Sequence, residues 1–329
     1  MLDVSLFSQI DVDQFYGIEL EEFPVRIAET AMWLIDHQMN IKLSETFGQA
    51  FVRLPLKKSA KIVNGNALTT DWKSVIKPEK ISYIISNPPF VGYSLMSKEQ
   101  SDEIESLFAG VKGAGTLDYV CGWYGKAADY MKGVNIKAAL VSTNSITQGE
   151  QVGVLWNELI NKRNIHLHFA HRTFKWTLDS KKAKGMKIAA VYCVIIGFAN
   201  FEAKIKKLFE YETIKSDPHE IEVKNLNPYL VEGANIFISK ISKPLCGVPP
   251  MTKGNQPTDN GQFLLTDEEK KNLIKAEPNA DEFIKPFISA KEFLNNIPRW
   301  CLWLKNAPPE KLKKLPLVME REKMLGNFV

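Results

Sequence analysis

The run ISYIIS (81–86) is β-branched and apolar, and it stops at Asn87, Pro88, Pro89 and Phe90. This pattern predicts a buried strand that ends in a rigid loop. A side-chain carboxamide oxygen (Asn87) beside a main-chain carbonyl (Pro88) offers two acceptors for the two hydrogens of an aromatic amine. Such a nitrogen is a poor nucleophile because its lone pair is delocalised into the ring. Gripping both hydrogens favours a tetrahedral nitrogen whose lone pair faces an electrophilic methyl group. Two consecutive prolines restrict the loop and remove two N–H donors that would compete for the acceptors. Phe90 is placed to stack on the ring that carries the amine. No strong base is needed, since the proton becomes acidic only as the N–C bond forms. The plain alternative is that Asn-Pro-Pro is a turn after a strand.

The elements around this loop alternate. Residues 14–19 read as a short strand, followed by a helix over about 21–37 on which Phe23, Ile27, Thr30 and Leu34 recur at helical spacing. Further strands are expected at 61–63, 137–142, 165–171 and 188–198, with helices over about 117–131 and 149–161. Strands alternating with helices argue for an α/β fold, a Rossmann-like, mostly parallel sheet covered on both faces. No helix pattern separates the last two strands, so they are expected to form an antiparallel hairpin at one edge. Ligands bind such sheets at the C-terminal ends of the strands, where Asn87 is expected to lie. Composition shifts at 243–262, which is rich in Pro, Gly and Asn, so two domains are expected, 1–242 and 243–329. A helix near 266–276 and the aromatic stretch RWCLWL (299–304) follow.

Composition narrows the classes. With 329 residues, 45% of them hydrophobic, the chain can bury a sizeable core, which excludes disorder. No apolar run approaches the roughly 20 residues a membrane helix needs. The first fourteen residues are acidic with no basic segment, against a secretory signal. Cys121, Cys193, Cys246 and Cys301 form neither a CxxC pair nor a metal spacing and fit reduced thiols in the cytoplasm. His166, His168 and His171 alternate along a strand, but without nearby Cys or acid clusters they read as packing or hydrogen-bonding residues rather than metal ligands. A net charge of +4 permits nucleic-acid binding without demanding it. The lysine-rich loop at 181–187 suits either phosphate contact or a solvated hairpin.

Several segments, in order, resemble the class I S-adenosylmethionine-dependent DNA adenine-N6 methyltransferases. They are YGIELEEFPVRIA (16–28), NGNAL (64–68), SNPPF (86–90), LVSTNSITQGEQ (140–151) and FAHRTFKW (169–176). Together with LDYV (117–120) they are most similar to the methyltransferase region of bifunctional type II restriction–modification enzymes. The resemblance implies S-adenosylmethionine as cofactor, with Glu19 on its ribose and Asn66 and Ala67 beside its adenine. It implies catalytic roles for Asn87, Pro88 and Phe90, and a stacking role for Phe174 on the second face of a flipped adenine in double-stranded DNA. From the residues alone, Glu19 could instead cap the next helix, Asn66 could be a turn residue, and Phe174 or Trp176 could belong to the core.

The family's first strand and glycine-rich turn are not recognisable here. GVKGAG (110–115) has suitable glycines but follows no strand and comes after the catalytic loop. The resemblance therefore implies a chain lacking the first central strand, with the glycine-loop segment supplied by a missing N-terminal segment or a separate subunit, and with only the start of a recognition domain after residue 243. Residues 1–7 slipping into that place are another option. Other functional readings are an inactive remnant that binds DNA or a partner, and methylation of protein, RNA or cytosine-N4.

Overall fold

Strand ends, more than helices, decide where loops meet in this chain. The structure is a computed structural model and describes residues 9–48, 58–176, 191–213, 216–238, 241, 243–249, 257 and 259–325. The expected lysine-rich loop at 181–187 and the segment 1–7 lie outside these residues. The chain divides into two compact units, Met1–Ile241 and Ser242–Val329.

The first unit opens with β1 (Tyr16–Glu19), which runs parallel to β2 (Lys61–Asn64) with Glu19 opposite Asn64. The helix Glu22–Phe47 lies between them in sequence and extends ten residues beyond its expected end at 37. It stops at Gly48, whose left-handed backbone (φ 62°) lets its N–H return to the Ser44 carbonyl. The helical spacing of Phe23, Ile27 and Leu34 does not mark a buried face. They are 75%, 52% and 57% exposed.

Among the described residues the main sheet has six strands. β3 (Tyr83–Ser86), β4 (Lys137–Thr143), β5 (His166–Trp176), β6 (Val191–Ala199), β7 (Lys206–Glu210) and β8 (His219–Val223) lie in the order β3-β4-β6-β5-β7-β8. The expectation of a mostly parallel sheet is corrected to a mixed one. β3–β4 and β5–β7 are parallel, whereas β4–β6, β5–β6 and β7–β8 are antiparallel. The β5–β6 pair is antiparallel but not at an edge. β6 inserts between β4 and β5, and β7 and β8 continue the sheet on the far side of β5. The reason is connectivity. β6 lies antiparallel beside its predecessor β5, and a link of six residues then carries the chain across to the free edge of β5.

Among the described residues, β3 pairs only with β4, and β1 only with β2. Tyr83 and Ile85 on β3 are 69% and 81% exposed, so this side of the sheet is left apolar and open. The opposite side of the unit is densely packed. The helix Cys121–Tyr130 and the helical segment 149–161 bury Tyr124, Trp156, Leu155 and Leu159 against Leu140, Ile196 and Phe198. Tyr124 stacks on Phe198 at 5.2 Å, and its hydroxyl hydrogen-bonds Ser142 at 2.7 Å, so the one polar group on this buried ring is satisfied.

The second unit carries β9 (Leu264–Thr266), β10 (Ile284–Pro286) and β11 (Arg299–Leu302), ordered β10-β11-β9 and all antiparallel. Thr266 caps the helix Asp267–Ala276 through a reciprocal bond with Glu269, the pattern that TDEE encodes locally. Leu265, Leu273, Phe283, Leu302, Leu315 and Val318 form a core belonging to this unit alone.

Candidate active site

β3 and β4 are parallel, with Ser86 opposite Leu140. Asn87 therefore leaves the sheet at the C-terminal end of β4, where Thr143 stands opposite Cys193 of β6, and Cys193 in turn stands opposite Phe174 of β5. Three strands thus deliver Asn87, Thr143 and Phe174 to one end of one sheet. The Asn87 side chain is exposed and hydrogen-bonds no described residue. Pro88 beneath it is buried, and Phe90 is half-buried. The loop is anchored from below by two main-chain contacts. Tyr119 N–H donates to the Val91 carbonyl at 2.9 Å, and Tyr93 N–H donates to Asp118 Oδ1 at 2.9 Å. The carboxamide is consequently presented outward on a fixed base, with both of its ends available. Two hollows among the described residues lie elsewhere. One is lined by Asp11, Tyr16 and Lys58 and the other by Ala276 and Leu315.

The cofactor candidates cluster at the ends of β1 and β2. Glu19 is half-buried, and its Oε1 accepts the N–H of Leu20 at 2.8 Å. Gly65 N–H donates to the Glu19 carbonyl at 2.8 Å, closing the two strand ends on one another. A carboxylate held at a strand end accepts hydroxyl hydrogens, so Glu19 fits a ribose diol. Asn66 is in a different position. Its Oδ1 accepts Leu68 N–H at 2.8 Å, and its Nδ2 donates to Glu103 at 2.7 Å, so both ends of its amide are engaged within the chain. Ala67 contributes its carbonyl to Trp72 Nε1 at 2.8 Å. Lys126 donates to the Leu68 carbonyl at 2.8 Å, with burial pulling its pKa down. The loop 65–68 is thus held by the chain itself, as the turn reading of Asn66 requires. Its outer surface is what remains for a ligand. The described residues fit the ribose end of S-adenosylmethionine, and none among them forms a glycine turn for its methionine end.

Phe174 sits in an aromatic row along β5 and β7. A register shift between His171 and Phe174 re-aims the strand there. Phe174 lies 5.7 Å from Tyr211 and 6.1 Å from Trp176, and His171 stacks on Phe209 at 4.2 Å. Phe174 is half-buried within this row, whereas Trp176 is exposed. The three histidines of β5 each have a separate partner. His166 Nδ1 meets Glu202 at 2.6 Å, His168 Nε2 the Phe201 carbonyl at 2.7 Å, and His171 Nδ1 the Tyr211 hydroxyl at 2.8 Å. Burial holds the pKa of His168 and His171 below the usual 6.5.

An outward carboxamide at the tip of the edge strand β3, an acid at the end of β1 in the separate two-stranded sheet, and Phe174 at the same end of the main sheet as Asn87 suit an amino-methyltransferase. Comparison with known proteins agrees. Residues 2–210 match the DNA-methyltransferase domain of MmeI, and residues 232–327 match the MmeI target recognition domain. The chain belongs to the MmeI DNA-methyltransferase family. It is 39% identical over 322 residues to DNA methyltransferase A of Bacillus subtilis (strain 168), covering 97% of this chain and 35% of that protein. It is 47% identical to the solved type IIL restriction–modification enzyme MmeI in complex with DNA. The TM-score is 0.91, over 99% of this chain and 43% of that one. The chain therefore spans less than half the length of these two relatives.

Two expectations change. The second unit is more than the start of a recognition domain. The match runs from 232 to 327, and Leu315 and Val318 close the core that Leu265 opens. The similarity over 99% of the chain also speaks against a decayed remnant. Sequence reasoning gave no role to Asp118, Tyr119, Glu103 and Lys126, which hold the two candidate loops. The segment LDYV marked two of them as characteristic without indicating what they touch.

Proposed function

We propose that this chain transfers the methyl group of S-adenosylmethionine to adenine N6 in double-stranded DNA, as the modifying part of a cytoplasmic restriction–modification system. The observation that carries this reading is the exposed Asn87 carboxamide, without a hydrogen-bond partner among the described residues and standing on a buried proline at the tip of β3. Its oxygen and the Pro88 carbonyl accept the two amine hydrogens, Phe90 stacks on the base, and Phe174 covers its other face. Unstacking the base costs a few kcal/mol, offset by these contacts. Glu19 holds the cofactor ribose, and the outer surface of the 65–68 loop lies beside its adenine. When bound, the cofactor supplies an electrophilic methyl carbon on a sulfonium centre.

The reading includes a further strand between β1 and β3. Both present an unpaired edge among the described residues, next to the exposed Tyr83 and Ile85. A segment of the same polypeptide or a second chain that fills this place would supply the glycine turn for the methionine end. The chain 1–329 by itself is then expected to bind S-adenosylmethionine weakly. Titration calorimetry tests this, and tight binding by residues 1–329 alone would overturn it. Methyl transfer is tested by tritium incorporation into unmethylated DNA followed by nucleoside mass spectrometry. N6-methyladenine supports the assignment, and methylcytosine or labelled protein in its place refutes it.

A further inference from the structure

Asp118 is a carboxylate only 7% exposed, and the proposed chemistry does not use it. Three elements converge on it. Tyr93 N–H, from the loop after β3, donates to Oδ1 at 2.9 Å, and Ser145 Oγ, from the turn after β4, donates to Oδ2 at 2.5 Å. Ser145 has a single hydroxyl hydrogen, so Thr143, 2.6 Å from it, must be the donor in their mutual bond. A one-way chain of hydroxyls therefore runs from the tip of β4 into Asp118. Its own main-chain N–H donates to Gln151 at 3.1 Å, which ties it to the next helical segment.

The next residue faces the other loop. Tyr119 is 5% exposed, and its hydroxyl donates to Glu103 Oε2 at 2.5 Å. Glu103 Oε1 accepts from Asn66 at 2.7 Å, in the loop after β2. Burial and the Glu103 carboxylate hold the Tyr119 phenol well above its usual pKa, so it remains a donor. Two consecutive residues thus grip the loop that carries Asn87 and the loop that carries Asn66, though neither reaches the outer surface of either loop. Side-chain bonds to carboxylates are among the stronger ones a fold can place, and here they join segments from three separate strand ends.

We infer that Asp118 and Tyr119 form a joint that sets the cofactor-side loop 64–70 and the amine-gripping loop 87–93 relative to each other. Both are positioning residues, and neither touches a reacting atom. The inference rests on the proposed function for its catalytic meaning, but the joint itself can be tested without turnover.

The experiment compares Asp118→Ala, Asp118→Asn and Tyr119→Phe in the full chain, by amide hydrogen exchange and by methyl-transfer kinetics. Asp118→Ala removes the acceptor for Tyr93 N–H and should speed exchange in 87–93 by about tenfold, with a smaller rise in 64–70. Asp118→Asn keeps an acceptor for Tyr93, and its amide can donate to Ser145 once the hydroxyl chain reverses, so exchange should return close to the wild-type rate. Tyr119→Phe keeps the volume and the Tyr119 N–H bond to Val91, so it should loosen 64–70 while 87–93 stays protected. In kinetics, Tyr119→Phe should raise KM for S-adenosylmethionine with kcat nearly unchanged, whereas Asp118→Ala should also lower kcat. Two exchange results overturn the joint: Asp118→Ala confined to 87–93, or Tyr119→Phe without effect on 64–70. A uniform loss of thermal stability with no split between KM and kcat overturns it as well. Absence of methyl transfer by the wild type under every condition counts against the proposed function instead, and the exchange data still decide the joint.

Discussion

Replacing Asn87 by alanine separates catalysis from folding. The side chain is exposed and has no hydrogen-bond partner among the described residues, so its loss leaves no buried group unsatisfied. Surface changes of this kind alter stability by about 0.5 kcal/mol or less. For a unit of this size that is a shift in Tm of about 1–2 °C. The chemical step should respond very differently. In the proposed reaction the carboxamide oxygen is one of two acceptors for an amine whose hydrogens become acidic only as the new bond forms. Removing one such preorganised group costs about 2.7–4 kcal/mol in the transition state, or about 10²–10³ in rate. Single-turnover transfer of a tritiated methyl group gives the rate. Calorimetry gives the cofactor affinity, which should stay near the wild-type value because Asn87 is assigned to the amine alone. Retention of more than about a tenth of the rate, or a large loss of affinity, would refute the assignment.

Other outcomes follow from the geometry. Phe174→Ala should weaken capture of an extruded base, read as a smaller rise in 2-aminopurine fluorescence at the target position. An unchanged signal would remove Phe174 from the site. Gly197 lies opposite Phe169, and a Cβ added there would fall on the Phe169 ring. Gly197→Ala should therefore cost about 1–3 kcal/mol in denaturant unfolding through overpacking, and a neutral effect would contradict that packing. His168 and His171 have folded pKa values held below 6.5 by burial, so the folded chain takes up protons less readily than the unfolded one. Their contribution to stability is full above pH 6.5, declines as pH falls below it, and levels off beneath the folded values. Replacing both with glutamine should flatten that part of the stability profile, and an unchanged slope would show that other groups set it.

Much of this protein was written in local pattern. ISYIIS followed by Asn-Pro-Pro fixes a strand and a stiff loop because β-branched residues favour extension and prolines restrict φ. TDEE carries a capping box that starts the helix after Thr266, and Cys121–Tyr130 carries its apolar stripe in its own spacing. The order of strands was not local. No residue of β6 states that it will lie between β4 and β5, since that depends on which edge is free when the chain returns. Exposure was not local either. Phe23, Ile27 and Leu34 have core spacing, yet whether they are buried depends on a neighbour that their own segment does not contain. Asn66 and Asn87 are the same residue type in similar strand-end loops. Only tertiary contact distinguishes them: Glu103 and Leu68 engage the first amide, and nothing described engages the second. The sequence determined which side chains could grip an amine. Long-range hydrogen bonds from Asp118 and Tyr119 decided how they are held, because such bonds join residues far apart in the chain and leave no periodic trace in it.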